Sequence, residues 1–299
     1  MKKVVLTGRK QSPVMPWRFW LVLTVEEPKP AARHPEQLCV VGVDVGWWRV
    51  PDKSKIRIAM TWDGKRHREL LLPLSFWKKE LGEVSIAHIT SLSSQRDLLL
   101  ESCKQKLAEL LPEHPRAKNK VAWQRTRSGG LVRFLHELDA ATPAAELLRI
   151  WKRDNDQLLR QQLMLENAFN HRRKWFNRNF AAEFAREYHV VGIENLNLVQ
   201  MSSREKTKGE EKRGLRRLAQ RRKYAALGEL FDAIENPMAK AGGRVVRVPP
   251  SSTTHTCSAC GKPFDTGIDG RLGVCPDGHE ADRDKNASIN IFSQTCRAL

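Results

Sequence analysis

Three short acidic segments close apolar runs in this chain: Val40-Val41-Gly42-Val43-Asp44-Val45-Gly46, Val190-Val191-Gly192-Ile193-Glu194-Asn195 and Asp282-Arg283-Asp284-Lys285-Asn286-Ala287. A carboxylate set against an apolar run is costly to bury unless a cation neutralises it. Three of them converging on one point suit hard divalent cations, which take oxygen ligands. Two such ions about 3.5–4 Å apart activate a water and stabilise the departing oxygen of an in-line displacement at phosphorus. The chemistry expected of Asp44, Glu194 and Asp284 is therefore metal-dependent phosphodiester hydrolysis with Mg²⁺ or Mn²⁺. Each acid also has an ordinary reading, as a turn residue after a valine run or as a helix N-cap. Asp282 is the reserve for Asp284, because two residues earlier on a continuing helix it faces elsewhere.

A second constellation lies between the second and third acids. Cys257-Ser258-Ala259-Cys260 faces Cys275-Pro276-Asp277-Gly278-His279 across a short segment, the layout of two thiolate knuckles on a β-ribbon that make a tetrahedral structural zinc site. The usual fourth cysteine position holds Gly278, which has no ligand atom. His279 is the best replacement, ahead of His255 and Asp277; the alternative is a ribbon that folds on packing without metal. Cys39, Cys103 and Cys296 have no pairing spacing, which fits a reducing compartment.

The elements that must carry these residues are legible from their patterns. Runs of β-branched residues closed by glycine predict buried strands, with Asp44 and Glu194 at their ends. Ala287 and Ile291 fall four apart, so Asp284 is expected to arrive from a helix start. Lys55-Ile56-Arg57-Ile58-Ala59-Met60-Thr61-Trp62 and His67-Arg68-Glu69-Leu70-Leu71-Leu72 flank Asp63-Gly64, a strong hairpin signal. With the acidic strand before them, they predict three antiparallel strands. From about Ser93 to Glu187 the leucine spacing turns helical, interrupted by a basic loop from Lys118 to Arg133.

The second long helix carries Asn170-His171-Arg172-Arg173-Lys174-Trp175-Phe176-Asn177-Arg178-Asn179. Cations interleaved with aromatics neutralise phosphates while stacking on bases, so Arg172, Arg173, Lys174 and Trp175 are candidate nucleic-acid contacts. The competing reading packs Trp175 and Phe176 inward and leaves the cations solvated. After Glu194, the charged stretch Ser202 to Gly214 reads as a loop beside the site that gates substrate. Arg216, Arg217, Arg221 and Arg222 then form a basic face on a helix whose other face carries Leu215, Leu218, Leu227, Leu230, Phe231 and Ile234. Gly242-Gly243 closes that helix, and Arg244 to Pro250 reads as one more strand.

With 52 Lys and Arg against 34 Asp and Glu, the formal net charge is +18. That is the electrostatic footprint of a protein lying along phosphates, though ribosomal proteins share it. A chain of 299 residues suits one compact domain with appendages. No run approaches the roughly 20 apolar residues that span a bilayer, and the N-terminus lacks a secretory apolar region.

In this order, G-x-D-x-G, G-x-E-N-L, a zinc ribbon and D-R-D-x-N-A-x-x-N-I, the motifs resemble the RuvC-like nuclease of TnpB proteins and the type V CRISPR effectors related to them, from roughly Trp17 to the C-terminus. The resemblance implies an α/β RNase H-like (RuvC) mixed sheet with a helical insertion and an inserted zinc ribbon. It implies Asp44, Glu194 and Asp284 as the metal-binding triad, and RNA-guided cleavage of DNA, single-stranded or guide-paired, in a prokaryotic cytoplasm. The absence of an HNH motif between Glu194 and Asp284 points away from the IscB and type II branch. It also implies a division into a residual wedge strand and linker (1–36), RuvC part I (37–91), the helical insertion (92–187), RuvC part II (188–250), the zinc ribbon (251–281) and RuvC part III (282–299). Almost all of the wedge and recognition region of such proteins has no counterpart here, so the expectation is either a fragment beginning at an internal methionine or a reduced protein whose missing half is supplied by a second protein chain, a second copy or nothing. Two alternatives follow: a guide- or DNA-binding module that does not cut, and a transposon-derived remnant.

Overall fold

The computed structural model describes residues 3–9, 16–24, 38–114, 125–196, 225–250, 253–266 and 270–299. In chain order the elements are β1 (Lys3–Arg9), β2 (Arg18–Thr24), β3 (Val40–Arg49), β4 (Lys55–Trp62), β5 (His67–Pro73), β6 (Ser75–Lys78), β7 (Gly82–Ser85), α1 (Ile86–Leu110), α2 (Ser128–Glu137), α3 (Pro143–Glu187), β8 (Val190–Glu194), α4 (Leu227–Lys240), β9 (Arg244–Val248), β10 (Leu272–Val274), β11 (Glu280–Asp282) and α5 (Arg283–Arg297). Contacts divide the chain into two units, one of Met1–Glu26 with Ser75–Asn170, the other of Glu27–Leu74 with His171–Leu299.

In the first unit, β2 pairs antiparallel with β1. The residual strand expected within residues 1–36 is therefore paired, as β2, with a second strand before it. β6 and β7 form another hairpin, and Ser85 caps α1 by accepting a hydrogen bond from the His88 amide at 3.1 Å. Leu107, Leu131, Phe134, Leu148 and Trp151 make one apolar cluster. That cluster corrects the sequence reading of a loop as far as Arg133, because the burial of Leu131 and Phe134 draws the segment into α2 from Ser128, through the glycine pair. Likewise α1 starts at Ile86, ahead of the expected Ser93, with Ile89 and Leu92 buried.

The second unit is built on a five-stranded sheet of order β5-β4-β3-β8-β9. β5, β4 and β3 are antiparallel, whereas β8 and β9 run parallel to β3. This is the RNase H-like arrangement expected from the sequence. The Asp63-Gly64 turn joins β4 to β5, with the Asp63 carboxylate accepting the Lys65 and Arg66 amides at 2.9 and 2.8 Å. β8 is buried over its whole length, which explains its unbroken apolar run. One expectation changes: Asp44 is not at a strand end. β3 continues past a bulge between Val45 and Trp48, because Trp48 and Arg49 pair with Arg57 and Ile56 of β4.

α5 lies across β3 and β8, and the two strand glycines are what admit it. A Cβ at Gly42 would collide with the Phe292 amide and the Ser288 carbonyl, and one at Gly192 with the Thr295 hydroxyl. Ala287 and Ile291 of α5 are buried in this layer, both essentially inaccessible. Gly192→Ala is accordingly expected to destabilise the protein by about 1–3 kcal/mol, the usual cost of overpacking a close helix-sheet contact. Urea unfolding checks it, and an unchanged midpoint would contradict the packing described.

Candidate metal centre

The sheet and α5 bring the three predicted acids together. Asp44 comes from the middle of β3, Glu194 from the end of the parallel neighbour β8, and Asp284 from the first turn of α5. They are 8%, 6% and 5% exposed, so water cannot screen them well. Burial, and then the charges of Asp284 and Glu194, push the Asp44 carboxyl well above its ordinary range, against the pull of Arg283 and Arg57. Burial also raises Glu194, partly offset by the Thr253 hydroxyl that donates to its Oε1.

Asp284 is held differently. Its Oδ2 accepts from Arg57 at 2.8 Å and Arg271 at 2.9 Å, and Arg283 reaches Oδ1 at 3.2 Å. Asp282 accepts the amides of Asp284 and Lys285 as the N-cap of α5, and also takes Arg57 and Arg271. Of the two neighbouring acids, then, Asp282 starts the helix and Asp284 faces the other two. Trp48 lies under both guanidiniums, its ring centroid 5.0 Å from Arg57 and 4.6 Å from Arg271. Burial works against the charge on Arg57, yet Asp284 and Asp282 raise its pKa above the ordinary value.

Sequence reasoning missed Arg57, Arg271 and Thr253. Arg57 left a signal: a lone arginine between Ile56 and Ile58 in an alternating strand whose neighbours are apolar must be exposed or paired, and at 3% exposure it is paired. Arg271 and Thr253 sit in loop-rich sequence with no periodicity to mark them.

The three acids are close enough to repel, since Asp44 feels both Asp284 and Glu194, and the arginines beside them stand mainly on Asp284. Among the described residues, however, the group whose ligand atoms all lie within 4.8 Å of one another is Cys257, Cys260, Cys275 and His279. Cys275 Sγ is 3.2 Å from His279 Nδ1, Cys260 Sγ is 3.6 Å from Cys275 Sγ, and Cys257 Sγ is 3.8 Å from His279 Nδ1. A tetrahedron with bonds of roughly 2.0–2.3 Å has edges close to these. The cluster could therefore hold a zinc ion. Burial opposes ionisation of Cys257 and Cys275, but backbone amides of the knuckles outweigh it and lower both thiols. Gly278 takes φ +79°, turning the second knuckle so that His279 enters where a cysteine one residue earlier would have served.

The ribbon is tied to the acids through α5. Asn286, fully buried, accepts from the Ser258 amide at 2.7 Å and donates to the Thr256 carbonyl at 2.8 Å, while Asn290 donates to the Thr253 and Thr256 carbonyls. The asparagines of the D-R-D-x-N-A-x-x-N-I motif thus dock the ribbon entry.

Of the proposed nucleic-acid contacts, Arg172 stacks over Trp175 at 4.5 Å, and that ring is 52% exposed. Lys174 is also on the surface. Arg173 is not, which corrects its assignment: it lies on the buried face of α3 with Asn177, Phe180 and Phe184 and donates to Glu229 at 2.9 and 3.1 Å. Arg216, Arg217, Arg221 and Arg222, and the loop from Ser202 to Gly214, lie outside the described residues.

An RNase H-like sheet with converging acids and a three-cysteine, one-histidine ribbon defines the class of fold and site. Comparison with known proteins adds the relatives. Residues 228–291 match the family model described as Cas12f1-like, TNB domain. The chain is 30% identical over 269 residues to the CRISPR-associated DNA-binding protein Cas12m of Thermanaerosceptrum fracticalcis, covering 84% of this chain and 43% of that protein. It is 28% identical over 306 residues to the protein of the same name from Allomeiothermus silvanus, covering 97% of this chain and 55% of the relative. The chain thus spans about half the length of the curated relatives it matches. Among solved structures it is similar to the Cas12f1-sgRNA-target DNA complex, at 15% identity and TM-score 0.40 over 96% of this chain and 55% of the other. A second is the mini-RNA-guided endonuclease CRISPR-Cas_phi3, at 12% identity and TM-score 0.36 over 84% and 44%. The resemblance read from the motifs is borne out: the chain resembles a compact type V-like effector. Among the described residues no helix is long and apolar enough to cross a membrane.

Two outcomes are expected. Purified chain should carry about one zinc by elemental analysis, with Cys275→Ser losing it; wild-type protein free of zinc after expression in zinc-supplemented medium would count against the site. Because Asp44 is raised in the folded state above its ordinary 3.8, the fold binds that proton more tightly than the unfolded chain. Its stabilising contribution is present at low pH and is lost as pH rises through the folded value. In EDTA, Asp44→Asn should therefore raise the melting temperature near neutral pH and flatten its fall as pH rises above the ordinary carboxylate range. A variant melting no higher than wild type at neutral pH would refute this.

Proposed function

We propose that this chain is the RuvC-like part of an RNA-guided, DNA-binding effector, and that Asp44, Glu194 and Asp284 hold Mg²⁺ or Mn²⁺ for hydrolysis of DNA phosphodiesters. The observation that supports it best is the meeting of three buried acids from β3, β8 and α5, with Asp44 raised by burial and by the other two. Bound cations would supply Lewis acidity and an activated water. The chain's own residues do the rest. The β3–β8 pairing fixes Asp44 against Glu194, Thr253 orients the Glu194 carboxylate, and the cap on α5 presents Asp284. DNA as ligand is supported by the names of the two relatives and by the net charge of +18. A guide RNA, a prokaryotic cytoplasmic setting, and a second chain or copy completing the recognition region belong to the same reading.

One observation favours a second reading, in which the chain binds DNA under guidance without cutting it. Arg57 and Arg271 already neutralise Asp284 through one oxygen, the service a cation would perform. A divalent ion using that oxygen has to displace two guanidiniums, one of them buried and also paired with Glu69.

Labelled single- and double-stranded DNA incubated with the purified chain, with co-purified RNA present or removed, in Mg²⁺ or in EDTA, separates the two. Cutting that needs metal and is lost in Asp44→Ala is expected under the first reading. Salt-sensitive binding with no cutting would decide for the second, and no binding under any condition would overturn both.

A further inference from the structure

The negative charge of Asp284 is compensated mainly through one atom. Its Oδ2 accepts from Arg57 at 2.8 Å and from Arg271 at 2.9 Å, which uses both lone pairs of that oxygen, while Arg283 stands on Oδ1 at 3.2 Å. An oxygen filled in this way has no electron pair to offer a metal, so a divalent ion can use it only after one guanidinium leaves. The two arginines are not equally free to do so.

Arg57 is fixed. Its side chain is 4% exposed and is also paired with Glu69 at 2.8 Å and with Asp282 at 3.2 Å. Drawing it away would strand a buried charge. Arg271 is held more loosely, with its side chain 21% exposed and separate nitrogens serving separate acids: Nη1 donates to Asp284, Nη2 to Asp282 at 2.7 Å. Its guanidinium lies 4.6 Å from the Trp48 ring centroid, and its carbonyl accepts the Arg283 amide at 2.7 Å, so the main chain stays tied to α5 while the side chain turns. A small rotation breaks the Asp284 bond and leaves Arg271 paired with Asp282, stacked on Trp48 and partly in water, with no charge buried alone.

We propose that Arg271 is an autoinhibitory counter-ion, which holds the Asp284 oxygen against divalent cations in the free protein and opens one lone pair of Oδ2 by turning onto Asp282, while Arg57 keeps the other. Arg271 reaches the acid from the start of β10, so the segment that carries the zinc knuckles supplies the movable guanidinium and β4 supplies the fixed one. The proposal rests on the reading of Asp44, Glu194 and Asp284 as a Mg²⁺ or Mn²⁺ site and names what regulates that site. Metal binding therefore tests it, and cleavage does not enter.

Mn²⁺ is titrated into the full, zinc-loaded chain freed of nucleic acid, at one pH and salt concentration, and unbound Mn²⁺ is followed by electron paramagnetic resonance. Arg271→Ala should bind Mn²⁺ about tenfold or more tightly than wild type, the worth of one charge-assisted hydrogen bond. Arg271→Lys, which keeps the charge but not the fork that spans two acids, should fall between them. Lys285→Gln removes a positive charge next to Asp284 without touching Oδ2, and should change affinity by less than about twofold at moderate salt. Adding Asp44→Asn to Arg271→Ala should abolish the gain. Equal affinities in wild type and Arg271→Ala, both dependent on Asp44, would overturn the proposal and leave the metal reading standing. A gain that survives Asp44→Asn, or one matched by Lys285→Gln, would overturn it as well, by placing the ion elsewhere or by reducing the effect to local field. No Mn²⁺ bound by wild type or by either Arg271 variant would overturn the metal reading and the proposal together. Zinc content and melting temperature show that folded protein with an intact ribbon is compared, and Arg271→Lys carries the comparison if Arg271→Ala loses zinc.

Discussion

Three carboxylates buried beside one another in a sheet-helix interface repel, and everything around them answers that repulsion. In a low-dielectric interior such charges persist only when opposite charge or protons are supplied. Here both answers are visible at once. Asp284 is answered by the guanidiniums of Arg57, Arg271 and Arg283, whereas Asp44 is left with two acids close by and takes the proton more readily than an ordinary aspartate. One oxygen cluster therefore contains a neutralised arm and an uncompensated pair, and the uncompensated pair is where an added cation would gain most.

The frame that enforces this proximity is mostly apolar and was mostly legible in the sequence. The valine runs of β3 and β8 mark buried strands, the Asp63-Gly64 hairpin fixes β4 and β5, and the spacing of Ala287 and Ile291 marks the face of α5. The parallel pairing of β3 with β8 was not read from these signals; it needs a long crossover, which the helical segment provides. What sequence could not place was anything set by contact across the fold. Asp44 was expected at a strand end because Gly46 looks like a terminator, but pairing with β4 carries β3 onward through a bulge. Arg173 sits in a run of cations that reads as one surface, yet the helical period turns it inward onto Glu229 while its neighbours stay out. The glycines of β3 and β8 read as punctuation and prove to be clearance for α5.

The ribbon shows the same division. The spacing of Cys257, Cys260 and Cys275 identifies the site without structure, and His279 as the fourth member was the preferred choice on ligand chemistry alone. How the ribbon attaches was not legible. Its anchor is a pair of asparagines on α5 whose side chains replace backbone partners for residues 253–258, a role no periodicity encodes.

That anchor makes the ribbon part of the acid site. Thr253, which holds Glu194, is itself held by Asn290, and Arg271, which holds Asp284, opens the β10–β11 ribbon and receives the Arg283 amide on its carbonyl at 2.7 Å. Two of the three acids are thus held in part by residues of the zinc-ribbon segment, Asp284 sharing Arg271 with Arg57 of β4. A disturbance of the knuckles would reach Glu194 and Asp284 through Thr253 and Arg271, and would leave Asp44 where β3 puts it. The charge balance of the cluster is consequently set by two modules that share the first turns of α5, and a shift of the ribbon that withdrew Arg271 would remove one of the two guanidiniums on the Asp284 oxygen.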